Sequence, residues 1–404
     1  MNIASSQQTF SPPAAPLTTG SPAGVPLLDI QRQYQAIRRE IIQALERVCD
    51  SGRFVLGPDC EELEHTLADY CGVPHAVACA SGSDALLLAL MAHEIGPGDE
   101  VLMPSYTFFA TAGAAARLGA KPVFVDIDPA TFNLDPRLLE ARITPASKAI
   151  IPVHLYGQCA DMPAINAIAR RHHLPVIEDA AQAVGAEFDA RRAGSWGQIG
   201  CLSFYPTKNL GGFGDGGLLT THDAQLADRL RLLRGHGMQP RYYHQVVGIN
   251  SRLDTLQAAV LNVKMRYLES WTALRQTNAR RYGELFAERG LERVLGLPTI
   301  DSRGRHVWNQ YVIRVPDGRR DALRAWLGEQ KIGTEIYYPV PLHLQHCFAE
   351  LGYQPGSLPR SEQAAQETLA LPIFPELTAA EQRAVVQAIG SFFENAHGSL
   401  RKAG

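Results

Sequence analysis

Between residues 75 and 220 the chain alternates short β-branched runs, at 75–80, 100–103, 122–126, 149–153, 175–178, 201–204 and 217–220, with helical segments. Nothing else in the sequence limits the fold as strongly. Runs such as AIIPV and PVFVD are apolar without a period of two, the pattern of strands covered on both faces. The expected fold is therefore α/β, a mostly parallel central sheet sandwiched by helices. An amphipathic helix precedes the sheet, with Ile30, Tyr34, Ile37, Ile41 and Leu45 on one face. After residue 220 come helical stretches over 224–234 and 252–286, the second expected to divide near Tyr267. A smaller α+β pattern follows, with strands at 310–315 and 334–338 and helices at 319–330 and 379–394. The domain reading is a flexible N-terminal arm over 1–24, a large α/β domain over 25–270 and a small C-terminal α+β domain over 271–404.

Composition narrows the function. In 404 residues, 46% apolar and 20% charged, there is ample material for a large core and no signature of disorder. Basic and acidic residues number 38 and 41, so no global positive field exists to hold a polyphosphate backbone, and nucleic acid is excluded as a partner. No apolar run approaches the roughly 18 residues of a membrane span. Residues 1–24 lack the basic start and apolar segment of a signal peptide. The seven cysteines show no CxxC spacing, which fits a reducing compartment, and the expected location is the cytoplasm. Cys49, Cys60 and Cys71 recur every eleven residues, but Gly57 and Pro58 separate any helices that carry them. No metal is expected: His172 and His173 are adjacent, and HExxH does not occur.

In a parallel sheet the ligand sits at the carboxyl ends of the strands, so the residues that follow each run carry the argument. Run 75–80 leads into Ser81-Gly82-Ser83-Asp84 and a helix, either an anion seat of free amides and hydroxyls or a plain Ser N-cap. Run 100–103 leads into Tyr106, Phe108 and Phe109, which can stack on a planar ring or close the core. Run 175–178 ends in Asp179, a partner for a ring nitrogen or a cap for the next segment. Lys208 follows run 201–204 within SFYPTKNLGGFGDGG. There, desolvation would lower its pKa and free a lone pair for attack on a carbonyl, whereas a surface lysine would do nothing. The glycines that follow lead into a strand, so neither nucleotide fingerprint has its required helix. One ligand suits all four features: pyridoxal 5'-phosphate, a flat pyridine with an aldehyde and a phosphate.

The motifs GRFVLGPDCEELE, SGSDALLLAL, GPGDEVLMPSYTFFAT, PVIEDAAQAVGA, SFYPTKNLGGFGDGG, GINSRLDTLQAAVL and YYPVPLHLQ, in this order, closely resemble the DegT/DnrJ/EryC1/StrS family of sugar-nucleotide aminotransferases. These share the aspartate-aminotransferase fold, and the resemblance runs from about residue 27 to 395. It implies that Lys208 binds the cofactor's aldehyde and Asp179 its ring nitrogen. It places Gln182 beside the ring hydroxyl and Phe108 on the ring, and gives the phosphate to Gly82, Ser83 and Ser203. Asn250 is similar to an asparagine that reaches the phosphate from a neighbouring subunit, which implies a homodimer with shared sites. Tyr337, Tyr338 and His343 fall where relatives line the sugar side; strand packing is the other reading of the two tyrosines.

The implied reaction takes an amino group from L-glutamate, passes through pyridoxamine 5'-phosphate and releases 2-oxoglutarate. A nucleotide-linked keto-sugar then accepts the amine. The segments 241–244 and 248–254 resemble the branch acting at the third sugar carbon, so a 3-keto sugar is expected, with a 4-keto sugar as the alternative. Three positions depart from the pattern: Tyr337 stands where that branch often has histidine, and Ser81 and Ser83 stand where Asn and Thr are common. A pyridoxamine-dependent sugar dehydratase would have replaced Lys208, and a non-catalytic regulator would be free to lose Lys208 or Asp179; both residues are present.

Overall fold

The computed structural model describes residues 24–402. The expected arm thus lies, Gly24 apart, outside the described residues. Helix α1 (Ile30–Ser51) opens the fold. Asp29 caps it by accepting from the Arg32 amide at 3.0 Å, and Gly52 ends it at φ 64°, which glycine adopts without a Cβ penalty. Helix α2 (Pro58–Cys71) starts on proline, so Cys49 lies on one helix and Cys60 and Cys71 on the next.

All seven expected strands of the sheet form: β1 (His75–Cys79), β2 (Glu100–Pro104), β3 (Lys121–Val125), β4 (Ser147–Ile150), β5 (Ile177–Asp179), β6 (Ile199–Ser203) and β7 (Gly217–Thr221). They pair in the orders β1-β7-β6-β5 and β3-β2-β4, and the parallel bridges Ile150–Val176 and Val153–Asp179 join the two parts. The pairs β2–β3, β2–β4 and β5–β6 are parallel. Strand β7 runs antiparallel to both neighbours, which brings its first residue, Gly217, level with the ends of β1 and β6 at Cys79 and Ser203.

Helices cover both faces. Val77, Cys79, Met103 and Ile199 pack with α3 (Gly82–Ala92), α4 (Ala110–Arg117) and, beyond α5 (Met162–Arg171), with α6 (Ala224–Leu233). Ala76, Ala78, Leu202 and Leu218 face the opposite side, against α2 and α7 (Thr255–Met265). Alternate residues enter different cores, and both sets are buried, which is why the strands read as continuous apolar runs.

Helix α8 (Leu268–Glu288) follows a break at Tyr267, as expected. The domain boundary expected after residue 270 falls inside it. Its later turns bury Ala279, Tyr282 and Phe286 in a second core with β8 (Tyr311–Arg314), α9 (Arg320–Glu329), β9 (Thr368–Leu371) and α11 (Ala379–Lys402), preceded by α10 (Pro359–Glu367). Val25 and Leu28 also join this core, so the start of the described chain packs with its C-terminal part. The strand expected over 334–338 does not form. Glu335 makes one antiparallel bridge to Ala370, and Pro339 and Pro341, lacking N–H groups, cannot extend the ladder. Among the described residues, no helix is long and apolar enough to cross a membrane.

Candidate active site

The strand ends assemble an anion seat first. Ser81 caps α3 by accepting from the Asp84 amide at 3.1 Å, and the amides of Gly82 and Ser83 find no acceptor among the described residues. Ser203, at the end of β6, closes on this turn: a Cβ at Gly82 would lie 2.7 Å from that of Ser203. A Cβ at Gly217 would lie 2.3 Å from the Ser81 carbonyl oxygen. The backbone approach therefore needs glycine at both positions. Behind the seat, buried Ser251 accepts from the Ala80 amide at 3.1 Å and donates to Asp84 at 2.7 Å. Asn250, the next residue back, is exposed.

Asp179 ends β5 and is 5% exposed. Burial raises its pKa; hydrogen bonds from the Thr111 hydroxyl (2.7 Å) and the Ala181 amide (3.2 Å), and the charge of Lys208, oppose that rise. Lys208 sits half-buried in the loop between β6 and β7. Burial lowers its pKa to about 8, against the pull of the Asp179 carboxylate. In the cofactor-free protein, labelling of Lys208 by an amine-reactive probe is expected to rise with pH and level off above about pH 8. A labelling curve still climbing through pH 10 would show a solvated amine.

The loop is clamped at several points. Phe213 donates its amide to Gln257 Oε1 at 2.7 Å and Lys264 Nζ donates to the Gly211 carbonyl at 2.6 Å; both side chains belong to α7, two turns apart on one face. Asn209 Nδ2 donates to the Val307 carbonyl at 2.8 Å. The glycine-rich stretch thus packs against a helix and leads into β7.

Gln182 is buried, with Oε1 accepting from the Tyr156 amide at 2.7 Å and Nε2 donating to the Tyr338 hydroxyl at 3.0 Å. Tyr156 holds φ 60°, unusual for a bulky residue, and this turn presents its amide to Gln182. Tyr338 packs edge-on to Tyr106 and stacks on Tyr156, whereas its neighbour Tyr337 is 38% exposed. No strand forms there, yet Tyr338 is a buried packing residue, and Tyr337 is the one of the pair left exposed. The core role among the β2-end aromatics falls to Tyr106, fully buried; Phe108 is 61% exposed and Phe109 stacks on Phe348. The expectation for His343 is corrected. It is 1% exposed, and Ser105 Oγ (2.6 Å) and Glu362 (3.2 Å) engage its two ring nitrogens, leaving none for a sugar.

Sequence reasoning missed the support behind the site. Glu178, buried beside Asp179, accepts from the amides of Gly194 (2.8 Å), Trp196 (2.7 Å) and Gly197 (2.7 Å) and from His154 Nε2 (2.8 Å). His154 Nδ1 accepts from the Ala160 amide at 3.1 Å, which puts the ring proton on Nε2. Glu178→Ala would strand those donors and is expected to cost about 3–5 kcal/mol in denaturant unfolding. A loss under ~1 kcal/mol would mean the loop finds other acceptors. The acidic pair at 178–179 was visible in the sequence, but not that Glu178 holds the 194–197 loop while Asp179 accepts from Thr111 and Ala181.

Attack on a carbonyl requires an unprotonated amine, and burial makes the Lys208 amine in the β6–β7 loop easier to deprotonate, with its pKa lowered to about 8. The fold is that of an α/β enzyme of the aminotransferase type. The model for the DegT/DnrJ/EryC1/StrS aminotransferase family matches residues 35–390, and the chain belongs to that family. It is 52% identical over 371 residues to a protein of Geobacillus stearothermophilus named "Pleiotropic regulatory protein", covering 92% of this chain and 99% of that one. It is 44% identical over 365 residues, 90% of this chain and 99% of the relative, to the "UDP-2-acetamido-2-deoxy-3-oxo-D-glucuronate aminotransferase" of Pseudomonas aeruginosa. The crystal structure of S. venezuelae DesV in complex with a ketimine intermediate superposes with a TM-score of 0.88 at 44% identity, covering 91% of this chain and 98% of that one.

Proposed function

We propose that this protein is a pyridoxal-phosphate-dependent aminotransferase that moves an amino group from L-glutamate to a nucleotide-linked 3-keto sugar. The half-buried amine of Lys208, electrostatically coupled to buried Asp179, carries this reading. The residues fit the cofactor: two free amides and Ser203 meet a phosphate where a Cβ at Gly82 would intrude. Bound there, the cofactor supplies an aldehyde that carries the amino group and a ring that takes up the electron pair left on the substrate's α carbon. Lys208 would hold the aldehyde, and its amine, once free, would be the group that moves a proton at the substrate's α carbon. Asp179 would keep a proton at the ring nitrogen, Gln182 would serve the ring hydroxyl, and exposed Phe108 would cover the ring face. Tyr337 would border the side left for the sugar, with buried Tyr338 behind it holding Gln182.

A second copy of the chain completes the site in this reading, with Asn250 reaching the partner's phosphate. Exposed apolar side chains support it: Tyr205 and Phe213 flank the Lys208 loop, and Phe54 is exposed next to α7, to which its carbonyl accepts from Thr255 at 3.0 Å. The 3-keto preference draws on the segments 241–244 and 248–254 and on the 3-oxo substrate in the Pseudomonas relative's name.

The test is a panel of nucleotide-linked 3-keto and 4-keto sugars with glutamate, reading 2-oxoglutarate. Turnover of the 3-keto compounds is expected; turnover confined to 4-keto compounds would move the site of transfer. Mixing Lys208→Ala with Asn250→Ala chains is expected to restore part of the activity through hybrid dimers, and strictly parental activity would argue for self-contained sites. A regulator of the same fold is the second reading, favoured by the name of the Geobacillus relative. It predicts cofactor binding without turnover of any sugar in the panel.

A further inference from the structure

Thr111 occupies the first turn of α4 and is fully buried. Its hydroxyl donates to Asp179 Oδ2 at 2.7 Å, shorter than the 3.2 Å bond from the Ala181 amide to Oδ1. Thr111 has one hydroxyl proton and commits it to Asp179, so Thr107, 3.5 Å away, is the group left to donate to Thr111. We propose that Thr111 is a positioning residue, whose hydroxyl holds Asp179 in the orientation and charge state that keep a proton on the ring nitrogen of the bound cofactor. The inference rests on the reading of Asp179 given above.

A carboxylate at the end of β5 has little water around it, and burial favours its neutral acid form. A neutral Asp179 could not stabilise a positive ring nitrogen. Groups that prefer the ionised form must offset burial, and few are at hand. Lys208 does so by charge, but its nitrogen is occupied once the cofactor is bound. His154 is committed to Glu178 and Ala160, and its amide donates to the Asp179 carbonyl rather than to the carboxylate. The Cys201 thiol and Tyr338 hydroxyl also lie near, and burial keeps both un-ionised. Beside the electrostatic pull of Lys208 and His154, the only hydrogen-bond donors to the carboxylate among the described residues are the Ala181 amide and the Thr111 hydroxyl. The hydroxyl is the shorter bond, and it is the one a side-chain substitution removes.

The experiment compares wild type, Thr111→Val, Thr111→Ser and Asp179→Asn, each reconstituted with pyridoxal phosphate. The readouts are the pH midpoint of the visible cofactor band and the cofactor dissociation constant. Losing positive charge on the ring makes the imine nitrogen more basic, so Thr111→Val is expected to raise the midpoint by about one pH unit and weaken binding about tenfold. Thr111→Ser keeps the hydroxyl and is expected to restore wild-type values. If Asp179→Asn moves the midpoint while Thr111→Val matches wild type, the role of Thr111 is overturned and that of Asp179 stands. If neither moves it, the reading of Asp179 fails. Should the valine variant not fold, Thr111→Ala removes the same proton without placing a methyl against the carboxylate, and the same outcomes apply.

Discussion

Lys208→Ala is expected to lower the rate of amino transfer at least ~10⁴-fold, about 5.5 kcal/mol of barrier, because one amine both anchors the cofactor and moves the proton. The fold should survive the change. Lys208 Nζ makes no hydrogen bond among the described residues, and its burial opposes its own charge. The sign of the pH effect follows. The folded chain releases this proton near pH 8, whereas an unfolded chain holds it to about 10.5, so the cofactor-free wild type gains stability as pH rises between those values. Below pH 8 the buried amine costs stability, and there Lys208→Ala should melt no lower than wild type. Borohydride reduction followed by peptide mass mapping checks the assignment directly: the cofactor should be fixed on the peptide containing residue 208 and nowhere in the variant. A retained rate would remove Lys208 from the mechanism.

Asp179→Asn carries the second largest expected effect, about 10³-fold in rate. The substitution keeps size and hydrogen-bonding capacity but removes the charge that stabilises a positive ring, and preorganised electrostatic contacts of this kind each contribute about 3–4 kcal/mol. The asparagine side chain can still accept from Thr111, so the loss should appear in kcat with little change in melting temperature. A rate within tenfold of wild type would show that the ring nitrogen needs no anionic partner. Glu178, one residue earlier, is expected to behave in the opposite way, losing stability before activity, because its oxygens serve the 194–197 loop and His154.

That contrast marks how far the sequence could be read. The seven strands of the sheet appear at their expected places because strands buried on both faces leave dense apolar runs that no surface segment imitates. Lys208, Asp179 and the turn at Ser81–Ser83 were legible for a related reason: each lies within a few residues of the end of such a run, and a parallel sheet gathers its strand ends along one edge. His343 was misread. Its motif gives no sign that Ser105 and Glu362, distant in sequence, engage both ring nitrogens. The 334–338 segment was misread because its apolar and aromatic residues suit a strand, while the prolines that stop it lie just beyond.

Local composition and spacing were enough for the α/β class, for the position of the lysine and for the carboxylate one strand away, since backbone preference and burial act over neighbouring residues. The antiparallel pairing of β7 with β1, the closing of Ser203 on Gly82, the α7 clamp on the lysine loop and the Thr111 bond to Asp179 depend on residues 44 to more than 100 positions apart. Nothing within a short window encodes such meetings. They follow from how the helices pack on the sheet, and from the cost of leaving a buried donor or charge without a partner.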